Sequence, residues 1–525
     1  MGEVAPLLHL TIKKGKGVRV SPPLKEGVYA APLQTYKEIK KLVKKHMKIL
    51  LIHPPAEEDL LFKKIIGLTP QPIGLGYVAA AVENKGHSVE LLDIPAQNIS
   101  KKELIISKKE LIKKIRKFDP DVIGVYLATY RCQKGLKILE IAKKYSNNAK
   151  TVCGGPHSTV TAEDLVKNQS VDYVVSGEAE QTFPELLETI DKNKNKYDVN
   201  GIVFCEDNEA VSTDPPKKIE DLDDLPTPAR HHFDMEKYTL MNHLEIASIV
   251  SSRGCPFDCN YCSVPAIFGT ECRLRSAEDI VNEIEEVNKK YGPDLFMFMD
   301  DNFDYSIDRL WKICDLLEER DLDILWGCCS SGINSNNPGL LKRMDETGCK
   351  VLSYNLESGS KKSLEVMDPG ISYESTKKDL ELAGDLGLIR ILNIIIGMPG
   401  ETRDDIIESI QFAKEVNPEF PLFFLPTPYP GTKFYKTAKR QGMIKEGDWK
   451  KYTSYNPIIE NESLSQEELR ELLERGYKEC YLNPASVKNK FKMMINRLTD
   501  GSIGLRDTPP ITFDSLNSMN YIRKL

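Results

Sequence analysis

Three cysteines stand nearest to chemistry. From Arg253 to Pro265 the chain reads RGCPFDCNYCSVP, which sets Cys255, Cys259 and Cys262 at C-x-x-x-C-x-x-C spacing on a short loop. Four thiolates saturate a [4Fe–4S] cubane, so three hold it and leave one iron open. By the logic that separates catalytic from structural zinc, an open coordination position marks a catalytic site. A structural zinc needs a fourth Cys or His, and the nearest in sequence is Cys272, beyond the loop. Buried free thiols are the remaining plain reading, and three crowded together argue against it.

Other candidate groups follow apolar runs. Asp300, Asp301 and Asn302 close LFMFMD; carboxylates there suit an ammonium ion, and the alternative is a cap for the next helix. Glu357 ends VLSYNLES, followed by Ser358, and a carboxylate leaving an apolar strand is costly unless paired. Gly397 opens GMPGET, a sharp turn of the kind any strand-to-helix connection also uses. Nearer the front, Thr129 ends one run, while Gly154 and Gly155 end another and precede His157 and Ser158. Glycines there leave backbone amides free to approach a phosphate. Glu178 and Thr182 lie in SGEAEQTFPELL.

The elements that must carry these groups alternate in two blocks. Residues 1–46 read as a basic extension with one candidate helix, whose Tyr36, Ile39, Leu42 and Val43 share a face. Over 47–192, five short strand-like runs (KILLIH, SVELLD, VIGVYL, TVCGG and YVVSG) alternate with helical patterns, which predicts a Rossmann-like, doubly wound parallel sheet. Ligands of such sheets sit at the carboxyl ends of the strands. Residues 193–246 read as a connector holding a strand pair around GIVFCEDNEAVS. Six strand–helix repeats over 247–425 predict a partial (β/α)6 barrel, and 426–525 a mostly helical C-terminal region. The fold class is therefore α/β.

Composition excludes several classes. With 71 basic and 78 acidic residues the net charge is −7, so no polycation points to nucleic acid. No apolar run reaches the length of a spanning helix, and the first residues lack a secretory apolar core. Twelve cysteines without a disulfide rhythm suit a reducing cytoplasm, which is the expected location.

The cluster loop and barrel resemble the radical S-adenosylmethionine superfamily over roughly 245–425. The resemblance implies that the open iron chelates the amine and carboxylate of S-adenosylmethionine, whose reductive cleavage yields a 5′-deoxyadenosyl radical. It implies further that Tyr261 meets the adenine through its backbone, and that Asp300-Asp301-Asn302 stands where the family commonly has Gly-Gly-Glu for the amino group. Glu357 then reaches the ribose or methionine moiety, and the Gly397 turn lies near the adenine. The front block resembles the cobalamin-binding domain found ahead of such barrels, on PIGLGYVAAAVENKGHSVELLD, GGPHST and SGEAEQTFPELL. That likeness implies cobalamin against Thr129, Gly154, Gly155, His157, Ser158, Glu178 and Thr182. The D-x-H-x-x-G motif of histidine-ligated cobalamin is absent, so a base-off cobalamin without a His ligand is expected; His53, at the end of the first strand, is the nearest alternative.

The leading expectation is methyl transfer to an unactivated carbon. A radical cyclase or oxidative, C–C bond-forming enzyme of a pigment, lipid or natural-product pathway is the alternative within the family; a non-catalytic cobalamin sensor or carrier is the alternative outside it. A methylthiotransferase would bring three more clustered cysteines, whereas Cys132, Cys153 and Cys205 are widely spaced. The expected partners are a small-molecule, lipid or peptide substrate and a low-potential donor of ferredoxin or flavodoxin type. For the basic extension, docking through a solvated lysine face is favoured over peripheral membrane contact.

Overall fold

Short apolar runs alternating with amphipathic helices assemble into two parallel sheets, the arrangement that buries both kinds of face. The computed structural model describes residues 46–56, 65–96, 108–330, 337–367 and 373–482. The expected lysine-faced helix of the extension, and everything after 482, lie outside the described residues.

In the front sheet, β1 (Lys48–His53), β2 (Ser88–Asp93), β3 (Val122–Tyr126), β4 (Lys150–Gly154) and β5 (Tyr173–Val175) run parallel in the order 2-1-3-4-5. Helices cover both faces, which is why β1 is buried from Ile49 to His53 and reads as a continuous apolar run. The order reverses between β1 and β3, so the crevice beyond their carboxyl ends is the natural ligand site. The hairpin of β6 (Ile202–Glu206) and β7 (Glu209–Ser212) turns through Asp207 and Asn208, both at positive φ (50° and 65°), as a two-residue primed turn requires. The pair expected within the connector thus extends the front sheet antiparallel to β5.

The second sheet opens with the pair β8 (Thr239–Leu240) and β9 (Leu244–Ile249). A small antiparallel ribbon follows, β10 (Ser252–Arg253) with β11 (Arg273–Leu274). β9 is then joined in parallel by β12 (Leu295–Phe298), β13 (Trp326–Ser330), β14 (Cys349–Glu357), β15 (Ile389–Ile395) and β16 (Phe420–Phe424), in the order 16-15-14-13-12-9-8. These are the six expected strands of the partial barrel. The intervening helices stop and start as their sequences dictate. Helix Ala277–Tyr291 begins where Ser276 accepts the Asp279 N–H, buries Ile280, Ile284 and Val287, and ends at Gly292 with φ 56°.

The outer edge of β16 is closed by the C-terminal helix Gln466–Tyr481. The Tyr477 hydroxyl donates to the Phe423 carbonyl (2.8 Å) and accepts from its N–H (3.1 Å), and the Tyr481 hydroxyl donates to the Pro421 carbonyl (3.1 Å). Gly476 lets the helix approach, since a Cβ there would lie 3.2 Å from the Phe423 ring. Side chains thus satisfy an edge that would otherwise be open to pairing. Tyr477→Phe should lower the unfolding free energy by about 1–3 kcal/mol, because it strands a buried donor and acceptor. A urea titration reads this, and an unchanged midpoint would mean that the edge is held by other contacts.

Candidate active site

The β10–β11 ribbon closes the base of the cysteine loop. Arg253 pairs with Arg273 across it, and at Gly254 (φ 85°) a Cβ would come 2.2 Å from the Glu271 carbonyl, so the crossing needs glycine. Within the loop the Cys262 N–H donates to the Cys259 carbonyl (3.2 Å), closing a tight turn between the second and third cysteines. Burial pushes the Cys262 thiol up to about 11, and Asp301, Cys255 and Glu357 add negative charge in the same direction. Cys272 is also pushed up to about 11, by burial and then by Cys255, Asp300 and Asp301, so it approaches the loop in space. Thiols and carboxylates crowded in this way repel one another until a cation sits among them. That donor set fits an iron cluster.

Asp300, Asp301 and Asn302 leave β12 beside the loop. Asp300 Oδ1 accepts from the Ser251 N–H (2.8 Å), the Ser251 hydroxyl (3.1 Å) and the Ser252 hydroxyl (2.6 Å). Its other oxygen, Oδ2, is buried without a hydrogen-bond partner among the described residues. Burial raises Asp300 above its ordinary value; burial and the Asp300 charge bring Asp301 up to about 6. Asn302 turns its amide to Cys255 Sγ (3.9 Å). An unpaired buried carboxylate oxygen is costly, and it is the group an incoming ammonium would satisfy.

β14 carries the next groups by strand alternation. Leu352, Tyr354 and Leu356 are buried, whereas Ser353, Asn355 and Glu357 share the opposite face. There Asn393 of β15 donates to Asn355 Oδ1 (2.7 Å) and Ser353 Oγ (2.9 Å), and Asn355 donates to Cys329 Sγ (3.4 Å), forming a polar ladder. Glu357 has φ 69° at a register shift between β14 and β15, a conformation costing about 1–3 kcal/mol outside glycine. Ser358 turns away into a fully buried network with Ser409 (3.2 Å) and Glu401 (3.4 Å). Gly397 (φ 90°) and Met398 donate their N–H groups to Glu401 Oε2 at 2.7 and 2.8 Å, and a Cβ on Gly397 would strike Leu469. Ser358 and Gly397 therefore shape the barrel wall, whereas Glu357 lies near the thiols.

At the front sheet, the carboxyl ends of β3 and β4 bring together Thr129, Gly154, Gly155, His157 and Ser158. Gly155 (φ 103°) admits no side chain: a Cβ would meet the Tyr126 ring at 2.9 Å and the Leu127 carbonyl at 3.0 Å. Thr129 Oγ1 lies 3.2 Å from His157 Nδ1, and Ser158 donates to the Gly154 carbonyl (3.1 Å). This strand-end cradle of glycine backbone and polar side chains fits the tail of a nucleotide-bearing cofactor. Burial lowers His157 to about 4, and its ring packs edge-on against Trp449 (5.4 Å). His53 ends β1 with Nδ1 2.7 Å from Asp93 Oδ1, while Tyr238 donates to Asp93 Oδ2 (2.9 Å); burial holds His53 below its usual value.

Glu178 and Thr182 follow the neighbouring strand β5. Thr182 is buried in the helix Ala179–Lys192. Glu178 Oε1 accepts from Arg253 and Oε2 from Arg273 (both 2.7 Å), Oε2 also takes the Ile219 N–H (3.2 Å), and Glu180 takes the other arm of Arg253 (2.6 Å). Both oxygens of Glu178 are thus used in joining the front sheet to the ribbon, a task that no local sequence signal reports. Burial opposes its ionisation, but the Arg273 and Arg253 hydrogen bonds and charges outweigh this and hold it below the usual carboxylate range. Trp449 carries no signal of its own in the sequence; it belongs to the region after 425, the least periodic part of the chain.

Two family models match the chain: the radical SAM superfamily over residues 249–413 and the B12 binding domain over residues 65–187. An uncharacterized methyltransferase of Pyrococcus horikoshii is 33% identical over 84% of this chain and 94% of its own length. An anaerobic magnesium-protoporphyrin IX monomethyl ester cyclase of Rubrivivax gelatinosus is 26% identical over 85% of this chain and 79% of its own. The fold is similar to that of TsrM, a radical S-adenosylmethionine methyltransferase of Kitasatospora setae with cobalamin and a [4Fe–4S] cluster bound, with a TM-score of 0.67 at 16% identity over 91% of this chain and 99% of that one.

The Glu178 junction makes its own prediction. Glu178→Ala leaves Arg273 buried without its carboxylate and should cost about 3–5 kcal/mol in chemical unfolding. Because the folded carboxyl is depressed, its contribution is present above the ordinary glutamate range and fades as pH falls through and below that range. The variant should lose this part of the wild-type acid sensitivity; parallel pH profiles for both proteins would refute the assignment.

Proposed function

The chain belongs to the radical S-adenosylmethionine enzymes that carry a cobalamin-binding domain, and we propose that it is a methyltransferase placing a methyl group on an unactivated carbon of a small molecule. When bound, the cluster supplies the electron that splits S-adenosylmethionine, and the cobalamin carries the methyl group between cosubstrate and substrate. The chain's own task is to hold and orient. Cys255, Cys259 and Cys262 hold the cluster and leave one iron for the cosubstrate. The free Oδ2 of Asp300, with Asp301 beside it, receives the cosubstrate ammonium, and the Tyr261 backbone meets the adenine. Glu357, carried at a strained backbone position, reaches the ribose or methionine moiety. Thr129, the Gly154–Gly155 backbone, His157 and Ser158 receive the cobalamin tail.

The observation that carries this reading is the Arg253–Glu178 contact. The thiol loop starts two residues after an arginine anchored just beyond the carboxyl end of β5, which brings the cluster to the ligand side of the front sheet. The similarity to named methyltransferases supports methyl transfer over other outcomes. The cyclase likeness keeps ring closure or oxidation as the second reading. The cobalamin is proposed to be base-off and without a histidine ligand, in keeping with the missing D-x-H-x-x-G motif. A ferredoxin or flavodoxin would deliver the electron. Among the described residues no helix is long and apolar enough to cross a membrane; a lipid or peptide substrate remains a further proposal.

With reconstituted enzyme under anaerobic conditions, the reaction should yield S-adenosylhomocysteine, 5′-deoxyadenosine and a methylated product. Deoxyadenosine with a cyclised or oxidised product and no added methyl group would decide for the second reading. Replacing Cys255, Cys259 and Cys262 together with Ala should abolish deoxyadenosine formation and spare cobalamin binding; retained cleavage would overturn the cluster assignment. The EPR spectrum of the cob(II)alamin form should lack nitrogen superhyperfine splitting, and its presence would identify a histidine or base ligand.

A further inference from the structure

Away from the thiol loop, three metal-ligating side chains converge where the front domain meets the strap that leads into the barrel. Glu83 lies in the last turn of helix Ile73–Asn84, and His231 and His232 share one short turn, Arg230–His232. Their ligand atoms all lie within 4.8 Å of one another. His231 Nε2 is 3.1 Å and His232 Nε2 2.8 Å from the same oxygen, Glu83 Oε1, with the two rings 4.3 Å apart.

The turn is fixed on both sides. Arg230 is buried, binds Glu283 (2.6 Å) and donates to the Ser248 carbonyl (2.7 Å), so the residue before the histidines is pinned to the barrel. Phe233, the residue after them, is buried against the helix at Gly76, where a Cβ would come 3.2 Å from its ring. The Ala229 N–H also donates to the Gly76 carbonyl (3.0 Å). Two imidazoles are therefore presented side by side on a rigid turn, facing a carboxylate from another domain.

Two imidazoles and one carboxylate form a borderline donor set that suits zinc, with water completing the tetrahedron. Metal–ligand bonds of about 2.0–2.1 Å put neighbouring ligand atoms roughly 3.3 Å apart, so the two Glu83 contacts would open by about half an ångström or less while the farthest pair, within 4.8 Å, draws in. The purely hydrogen-bonded alternative has to direct two N–H protons at a single oxygen. We propose that Glu83, His231 and His232 form a zinc(II) site that latches the strap onto the front domain. The site is separate from the cluster, and the inference does not rest on the methyl-transfer reading.

The test uses holoenzyme carrying its cluster and cobalamin, freed of loose ions on a chelating resin and titrated anaerobically with Zn2+ against a chromophoric chelator. One zinc per chain should bind with a Kd of about 1 μM or tighter, and the unfolding midpoint should rise with zinc concentration, since an ion that binds only the folded chain stabilises it. His231→Ala/His232→Ala should lose that equivalent while iron, sulfide and cobalamin contents stay the same. Glu83→Gln, which keeps size and hydrogen bonding, should weaken binding roughly tenfold or more. It decides the matter if the double variant does not fold. No saturable zinc, or equal stoichiometry and affinity in the variants, would reduce the cluster to an ordinary hydrogen-bonded contact.

Discussion

A buried carboxylate shared by two guanidinium groups is the contact on which the arrangement of this protein depends. Glu178 closes the front sheet, Arg253 opens the thiol loop and Arg273 closes it, so one ionic junction sets where the loop stands relative to the strand ends. A second layer runs alongside: Arg275 bridges Asp279 and Glu283, Glu283 also holds Arg230, and the Arg253 guanidinium lies over the Tyr77 ring. Such groups are expensive to desolvate and add little net stability over an apolar contact. What they provide is geometry, because each charge-assisted hydrogen bond sets a guanidinium nitrogen against one particular carboxylate oxygen.

Inside the barrel the same economy of polarity recurs. Strand alternation on β14 sends Tyr354 and Leu356 outward into the core and leaves Ser353, Asn355 and Glu357 on the opposite face. The ladder through Asn393 and Cys329 satisfies most of those groups. The strained backbone of Glu357 and the unpartnered oxygen of Asp300 stand close to the thiols.

The C-terminal region binds the two halves together. Gln133 of the front domain donates to Asp448 (2.8 Å), Trp449 lies against His157, and Gly431 fits between Val160 and Ala266, which flank the cobalamin-type cradle and the cysteine loop. Tyr429 donates to the Tyr452 carbonyl (3.1 Å) and so ties this cover to the loop after β16. None of this follows a helical or strand period, so the expectation of a mostly helical C-terminal region gives no sign of it.

The sequence by itself determined the two alternating strand–helix blocks, their strands to within about three residues at each end, and the cysteine loop, because apolar periodicity, caps and ligand spacing are local signals. It placed Gly154 and Gly155 at a strand end, though not what Gly155 avoids. Tertiary structure alone decided that Glu178 serves the domain junction, that Ser358 and Gly397 shape the wall, and that the β6–β7 hairpin completes the front sheet. It alone brought Glu83 to His231 and His232, and Cys272 near Cys255. These outcomes depend on contacts between residues far apart in the chain, and no local pattern records which distant charge or backbone group a side chain will meet.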